Sequence, residues 1–207
     1  TYLRENINVL RAVAKSPYVV GSDFIGEEIN DISDLQPAIK EIVRYINEED
    51  KDFTIRIHAG ENDSLRNNVR KSIMCVKESL EKEQEMPRCR IGHGLYSEDL
   101  NTESGKELLK LMKDTGVVIE FQLTSNVRLN NLSDLKNHPI KIFLKNGIKC
   151  VQGTDGGGMY GSDTFDEQLA LQNLLELSDD EFAKMREVED EITTKNTVNT
   201  ELKYNIY

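Results

Sequence analysis

The sequence has 207 residues, enough for one domain with a sizeable hydrophobic core. Its net charge of −11 argues against a nucleic-acid partner, which would require a basic face, and no apolar run approaches the roughly 20 residues of a membrane span. Neither a signal peptide nor a CxxC pair is visible, and the cysteines number three, so we expect free thiols in a reducing, cytoplasmic compartment.

Hydrophobic periodicity predicts an alternation of helices and short strands along the whole chain. In chain order these are a helix over 1–15, a strand over 18–24, a helix over 34–48, a strand over 53–58, a helix over about 64–85, a strand over 89–92, a helix over about 102–113, a strand over 116–121, a helix near 138–146, a strand over 148–152, and helices over about 162–176 and 179–192. Ser33 and Ser178 are expected caps at helix starts, and Gly116 is an expected helix stop.

Five strands at intervals of about 30 residues are typical of an α/β protein with a parallel sheet or barrel. Nothing in the composition divides the chain, so we predict a single domain over 1–207. A complete (β/α) barrel has eight strands in about 250 residues. If this is a barrel, about three strands lie upstream of residue 1, and the open sheet edges could support self-association.

Polar residues follow the predicted strands at the end where a parallel barrel carries its catalytic face. His58 and Glu61 end the second strand, His93 ends the third, and Asp155 ends the fifth. Singly, each has a structural explanation as a hydrogen-bonded loop or turn residue. Jointly, imidazole and carboxylate groups are the ligand types that a catalytic Zn²⁺ prefers. A nearby carboxyl group can also transfer protons.

Five short segments between roughly residues 15 and 185 match known sequence motifs. His58-Ala59-Gly60-Glu61 resembles the HAGE motif, and Arg90-Ile91-Gly92-His93-Gly94 resembles the (R/K)(I/V)GHG motif. Residues 19–28, VVGSDFIGEE, are similar to the VVGxDLAGxE segment. Thr124-Ser125-Asn126 resembles the TSN turn, and Thr154-Asp155 matches the first half of the TDDP motif. Any one of these segments alone would be a weak signal, but together, in this order and spacing, they resemble the adenosine deaminase family.

The resemblance implies that this chain is the C-terminal part of a TIM-like barrel holding one Zn²⁺, in an enzyme that deaminates adenosine or a related aminopurine nucleoside. It implies that His58 and Asp155 are metal ligands. Glu61 would protonate the purine ring beside the attacked carbon, and His93 would position and help activate the hydroxide. Gly26 would contact the purine, because its small size lets the base approach the backbone.

Two departures from the family pattern carry consequences. The family takes two further zinc ligands from an HxH pair, and no HxH occurs in this sequence. We therefore expect the 207-residue chain alone to bind zinc poorly and to be inactive, because a catalytic site needs at least three protein ligands. Gly156 replaces the second Asp of the TDDP motif. Loss of that hydrogen-bonding partner opens the alternative of another amino-heterocycle or a nucleotide as substrate. A non-catalytic module that retained the barrel is the third possibility.

Several other polar residues are predicted to have structural roles. Ser125 and Asn126 are expected to tie the loop after the fourth strand to the barrel rim. Asp23 is expected to be a buried, hydrogen-bonded support for the end of the first strand. His138 precedes a proline at a predicted helix start and is expected to be structural. Asp163 or Asp166 could replace the lost carboxylate at position 156, because both lie only a few residues farther along the chain.

Overall fold

The computed structural model describes residues 2–16, 18–49, 52–129, 131–132 and 135–204. Five strands alternate with helices, as the periodicity predicted. The strands are β1 Gly21–Phe24, β2 Thr54–Ala59, β3 Cys89–His93, β4 Val118–Phe121 and β5 Lys149–Gln152. The helices are α1 Tyr2–Val13, α2 Gln36–Glu48, α3 Asn68–Glu78, α4 Glu103–Thr115, α5 Leu123–Arg128, α6 Ile140–Lys145, α7 Gly157–Tyr160, α8 Thr164–Leu174 and α9 Asp179–Tyr204, and short 3₁₀ helices cover Ile32–Leu35 and Leu135–Asn137.

The strands form one parallel sheet in the order β1-β2-β3-β4-β5. Each strand pairs with its sequence neighbours, for example Ile57 with Ile91 across β2 and β3. Sequential parallel neighbours joined by helical crossovers are the arrangement of a (β/α) barrel wall. The fold is therefore part of a TIM-like barrel, in agreement with the expectation from the sequence.

The two faces of the sheet differ in polarity because side chains alternate along each strand. On β2, Ile55 and Ile57 are fully buried and join one core with apolar side chains of the helices. The intervening Arg56 and His58 lie on the opposite face. Helix α2 illustrates the helical half of this core, with buried residues at the spacing of one helix face: Ile39, Ile42, Val43 and Ile46.

The caps explain where several helices begin and end. Thr102 accepts a hydrogen bond from the Gly105 N–H at the start of α4, and Gly116 adopts φ 64° after its last turn. Ser178 and Glu181 form reciprocal hydrogen bonds at the start of α9, as predicted. The prediction for Ser33 is wrong: Asp31 accepts from the Ser33 N–H and caps a 3₁₀ helix, and α2 begins at Gln36.

One predicted helix and one predicted loop also need correction. The helix expected over 64–85 extends only over Asn68–Glu78. Ser79 follows it, and its hydroxyl donates to the Cys75 carbonyl, while the Gln84 side chain accepts from the Glu81 N–H in the turn beyond. Helix α5 was expected to be a loop, because its six residues are too few to show a helical period.

Among the described residues, no helix combines the length and apolarity needed to cross a lipid bilayer. His138 has the structural role expected of it. Its residue is 6% exposed, its ring lies 5.0 Å from that of Phe121, and its Nδ1 accepts from the Ile140 N–H. Burial lowers the pKa of His138 to about 4.

Candidate active site

Four candidate residues from three strand ends come together at the carboxyl edge of the sheet. One ligand atom each from His58, His93 and Asp155 lies within 4.8 Å of the others. The Glu61 Oε1 atom lies 3.7 Å from His93 Nε2. The rings of His58 and His93 have centroids 5.3 Å apart. This grouping follows from the parallel sheet, because the carboxyl ends of its strands meet at one edge.

The backbone at two of these positions adopts the left-handed region that non-glycine residues rarely occupy. His93 has φ 73° and Asp155 has φ 52°. Each such residue costs on the order of 1–3 kcal/mol, and such residues cluster at functional sites. Gly94 follows His93 with φ 57°, and a Cβ there would lie 2.6 Å from Ile119 Cγ2. The turn after β3 therefore requires glycine at position 94. The same turn directs the His93 ring toward the site.

His93 is held by two side chains of the neighbouring strand and helix. Its N–H donates to Gln122 Oε1 at 2.9 Å, and its Nδ1–H donates to Asn126 Oδ1 at 2.7 Å. Its Nε2 is buried, faces Glu61 and has no hydrogen-bond partner among the residues that the structure describes. Burial is the largest influence on the His93 pKa and lowers it. The neutral ring therefore presents the Nε2 lone pair to the site.

Helix α5 supplies the positioning contacts for two of the four candidates. Besides the Asn126 contact with His93, the Ser125 hydroxyl donates to Asp155 Oδ2 at 2.7 Å. Ser125 and Asn126 are fully buried. Ser125 and Asn126 were expected only to tie a loop to the rim, and this expectation is too limited. A contact between side chains 30 or more residues apart cannot be derived from sequence spacing.

His58 contacts a network of charged groups on the polar face of the sheet. Its Nδ1 lies 3.0 Å from Asp23 Oδ1, and its side chain is 5% exposed. Burial favours the protonated form of Asp23, but the hydrogen bond from His58 and the charge of Arg56 outweigh it, so the Asp23 pKa is lowered. Asp23 itself is exposed rather than buried, at 37% of its side-chain area. The prediction of burial is wrong, while the predicted hydrogen bonding is confirmed.

The network continues across the sheet through residues that sequence reasoning missed. Arg56 Nη2 donates to Glu120 Oε1 at 2.7 Å, and Arg90 lies 3.4 Å from the other oxygen of that carboxylate. The Gln122 amide donates to the same group at 2.9 Å. The sequence did contain a signal for this network: Arg56, Arg90 and Glu120 lie on three consecutive strands. Charged residues on a half-buried strand are seldom left without an opposite charge, so their pairing could have been predicted.

Glu28 ends the segment that resembles VVGxDLAGxE, but sequence reasoning gave it no role; in the structure it organises the turn after β2. Its buried carboxylate accepts hydrogen bonds from the N–H groups of Gly60, Glu61 and Asn62, the last two at 2.7 and 3.2 Å. Three successive backbone N–H groups form an anion-binding site, and the Glu28 carboxylate of the same chain occupies it. The contact fixes the backbone from which Glu61 projects.

The structure also places the remaining candidates. Gly26 lines a cavity of about 360 Å³ together with His58 and Glu61, and a Cβ at Gly26 would meet no atom of the described residues within 4 Å. The suggestion for Asp163 and Asp166 is not supported, because their carboxylates form the capping box that begins α8. Both are therefore bound to backbone N–H groups.

The donor set fits a divalent metal ion. Two imidazoles and a carboxylate converge, and the buried His93 Nε2 is an acceptor for which the described part of the chain provides no donor. Such atoms are rare in native proteins unless an ion or water serves them. Neutral imidazole and carboxylate are the ligands that Zn²⁺ takes, although other divalent ions share them.

Comparison with known proteins identifies a family and several relatives to which this chain is similar. The family model described as adenosine deaminase matches residues 3–191. The adenosine deaminase of Plasmodium gallinaceum is 33% identical over 166 residues, which cover 80% of this chain and 40% of that protein. The chain thus spans about two-fifths of this relative's length.

Solved structures of low sequence identity share the fold. The adenine deaminase of Arthrobacter aurescens matches with a TM-score of 0.70 at 18% identity, covering 98% of this chain and 56% of that one. The Arabidopsis N6-mAMP deaminase matches with a TM-score of 0.68 at 20% identity, covering 98% and 54%.

Proposed function

Because this chain belongs to the adenosine deaminase family, we propose that it is the C-terminal part of an enzyme that hydrolytically deaminates adenosine or a related aminopurine nucleoside. One observation carries the proposal: the side chains of His58, His93 and Asp155 converge within 4.8 Å, beside Glu61. Water would supply the oxygen that replaces the amino group, and the amino group would leave as ammonia.

The proposed roles follow from the atoms that each residue presents. His58 and Asp155 would hold Zn²⁺, with Asp155 oriented by the Ser125 hydroxyl. When bound, the metal ion would lower the pKa of water from 15.7 toward about 7, so that hydroxide is available at neutral pH. His93 would orient the attacking oxygen through Nε2, because Asn126 fixes the ring by its other nitrogen.

Glu61 would act as the general acid and protonate the purine ring nitrogen next to the attacked carbon. A carboxyl group in this role typically contributes about 10²–10⁴ in rate. The turn that carries Glu61 is fixed by Glu28. Gly26 would lie against the purine, since its missing side chain leaves the adjoining cavity open.

Further ligands would have to come from other residues. We propose that residues 1–207 form one partial-barrel domain and that the metal ligands still needed belong to polypeptide outside it. The 207-residue chain alone would then be inactive, would bind zinc poorly and could self-associate through its sheet edges. The protein would act in purine metabolism in the cytoplasm.

The substrate has a second candidate class. Gly156 begins α7 and supplies no carboxylate beside Asp155, so a site built for adenosine would lose a hydrogen-bonding partner. Another amino-heterocycle or a nucleotide is the alternative, and two proteins of similar fold are named as deaminases of adenine and of N6-mAMP. A non-catalytic module is a third alternative. It would gain support if the natural protein had no HxH pair upstream.

The test uses the natural polypeptide that contains residues 1–207. Ammonia release would be measured with adenosine, deoxyadenosine, adenine and AMP. We expect turnover of a nucleoside, a fall of about 10²–10⁴ in kcat for Glu61→Gln, and unchanged zinc content in that variant. Glu85→Gln is the matched control, because Glu85 is exposed and lies outside the cavity that Glu61 and Gly26 line. Zinc-loaded protein that deaminates none of the four substrates would refute the proposal.

A further inference from the structure

Each ring nitrogen of His58 has a neighbour. Asp23 lies at Nδ1, and the Arg56 guanidinium lies at Nε2, the nitrogen that is left for a metal ion. Arg56 Nη1 lies 3.3 Å from His58 Nε2, and Asp23 Oδ1 lies 3.0 Å from His58 Nδ1. A carboxylate only accepts and a guanidinium only donates. His58 therefore carries its proton on Nδ1 and directs the Nε2 lone pair at Arg56.

Arg56 is held in this position from several sides. Its guanidinium donates to Asp23 and to both oxygens of Glu120, and its side chain is 20% exposed. The guanidinium lies over Gly92, where a Cβ would come within 3.3 Å of Nη2. The contact with His58 is thus part of a half-buried network that holds the guanidinium in place, whereas a free surface arginine would sample many conformations.

We propose that Arg56 is a built-in competitor of the metal ion, and that it sets the metal affinity of the site. This inference rests on the proposed function. One lone pair cannot serve both cations, so coordination by His58 Nε2 requires the guanidinium to withdraw toward Glu120. The positive charge beside the ligand also opposes a second cation. Arg56 acts through His58 and is a positioning residue rather than a ligand.

The test is zinc affinity, measured by competition with a chromophoric chelator on the natural polypeptide that contains residues 1–207. The metal ion can bind His58 Nε2 only after the hydrogen bond from the Arg56 guanidinium breaks, and a hydrogen bond from a charged donor corresponds to about 10–100-fold in an equilibrium constant. We therefore expect Arg56→Met to bind zinc at least about tenfold more tightly than the unaltered protein. Arg90→Met is the matched control, because Arg90 pairs with the same Glu120 carboxylate at 3.4 Å. We expect its affinity to change by less than about threefold, since Arg90 contacts Glu120 and, among the described residues, makes no contact with His58.

Each outcome bears on the inference. If the unaltered protein binds zinc and Arg56→Met binds it no more tightly, the inference fails while the proposed function stands. If neither protein binds zinc, the inference and the proposed function both fail. If Arg56→Met does not fold, Arg56→Lys retains the charge near Asp23 and Glu120 but loses the planar contact. A gain of at least about threefold in Arg56→Lys supports the competition, and unchanged affinity overturns it.

Discussion

Replacing Glu28 by glutamine is expected to destabilise the protein and to lower its activity together. The carboxylate accepts from the N–H groups of Gly60, Glu61 and Asn62. A glutamine oxygen at the Oε2 position could retain the last two bonds, but its NH₂ group would then face the Gly60 N–H. Losing one charge-assisted bond costs about 1.5–3 kcal/mol, and the unsatisfied donor adds to this. For a chain of this length, 2–3 kcal/mol corresponds to a fall of roughly 4–12 °C in Tm.

The assay for Glu28→Gln is thermal unfolding followed by circular dichroism, with kcat measured on the same preparations. Glu27→Gln removes the same charge from an exposed neighbour, and we expect it to change stability by less than about 0.5 kcal/mol. The kcat of Glu28→Gln should fall because the turn that carries Glu61 loses its anchor. Equal Tm values for the two variants would show that the cradle around Glu28 does not stabilise this turn.

Three further results are expected. Asn126→Ala should lower kcat by about 10–100-fold with little change in KM, because the His93 ring loses the partner that fixes its orientation; a change in KM alone would contradict this role. Gly26→Val should raise KM while Tm stays within about 1 °C, because its side chain would enter the cavity and not the core. Because burial lowers the pKa of His138 to about 4 from 6.5, the unfolded chain binds the proton first. Stability should therefore be full above about pH 6.5 and fall by about 1.4 kcal/mol per pH unit down to about pH 4. His138→Phe should reduce that slope in urea unfolding, and an unchanged slope would contradict the assignment.

The fold was largely predictable because its signals are local. Strand β2 has apolar residues at every second position, and α4 has both a Thr102 cap and a Gly116 stop. The errors arose where the signal was weak or shared. Helix α5 has only six residues. Ser33 was predicted as a cap from its residue type, but its N–H donates to Asp31, which is the residue that caps the 3₁₀ helix.

The candidate site was predictable as a set of residues but not as a network. His58, Glu61, His93 and Asp155 are each placed by a strand end, so the sequence indicates that they lie close together. Their supporting contacts join side chains about 30 to 35 residues apart, for example Asn126 with His93. Such pairs depend on the tilt and register of neighbouring strands, which a single sequence does not encode in any local pattern.

The most direct test of the central claim is the position of the metal in the natural polypeptide that contains residues 1–207. Diffraction from crystals grown with zinc, recorded on both sides of the zinc absorption edge, locates the ion without reference to activity. We expect one strong anomalous peak within about 2.0–2.2 Å of a His58 nitrogen and an Asp155 oxygen. An anomalous peak elsewhere, with those two side chains lacking any metal, would contradict the account.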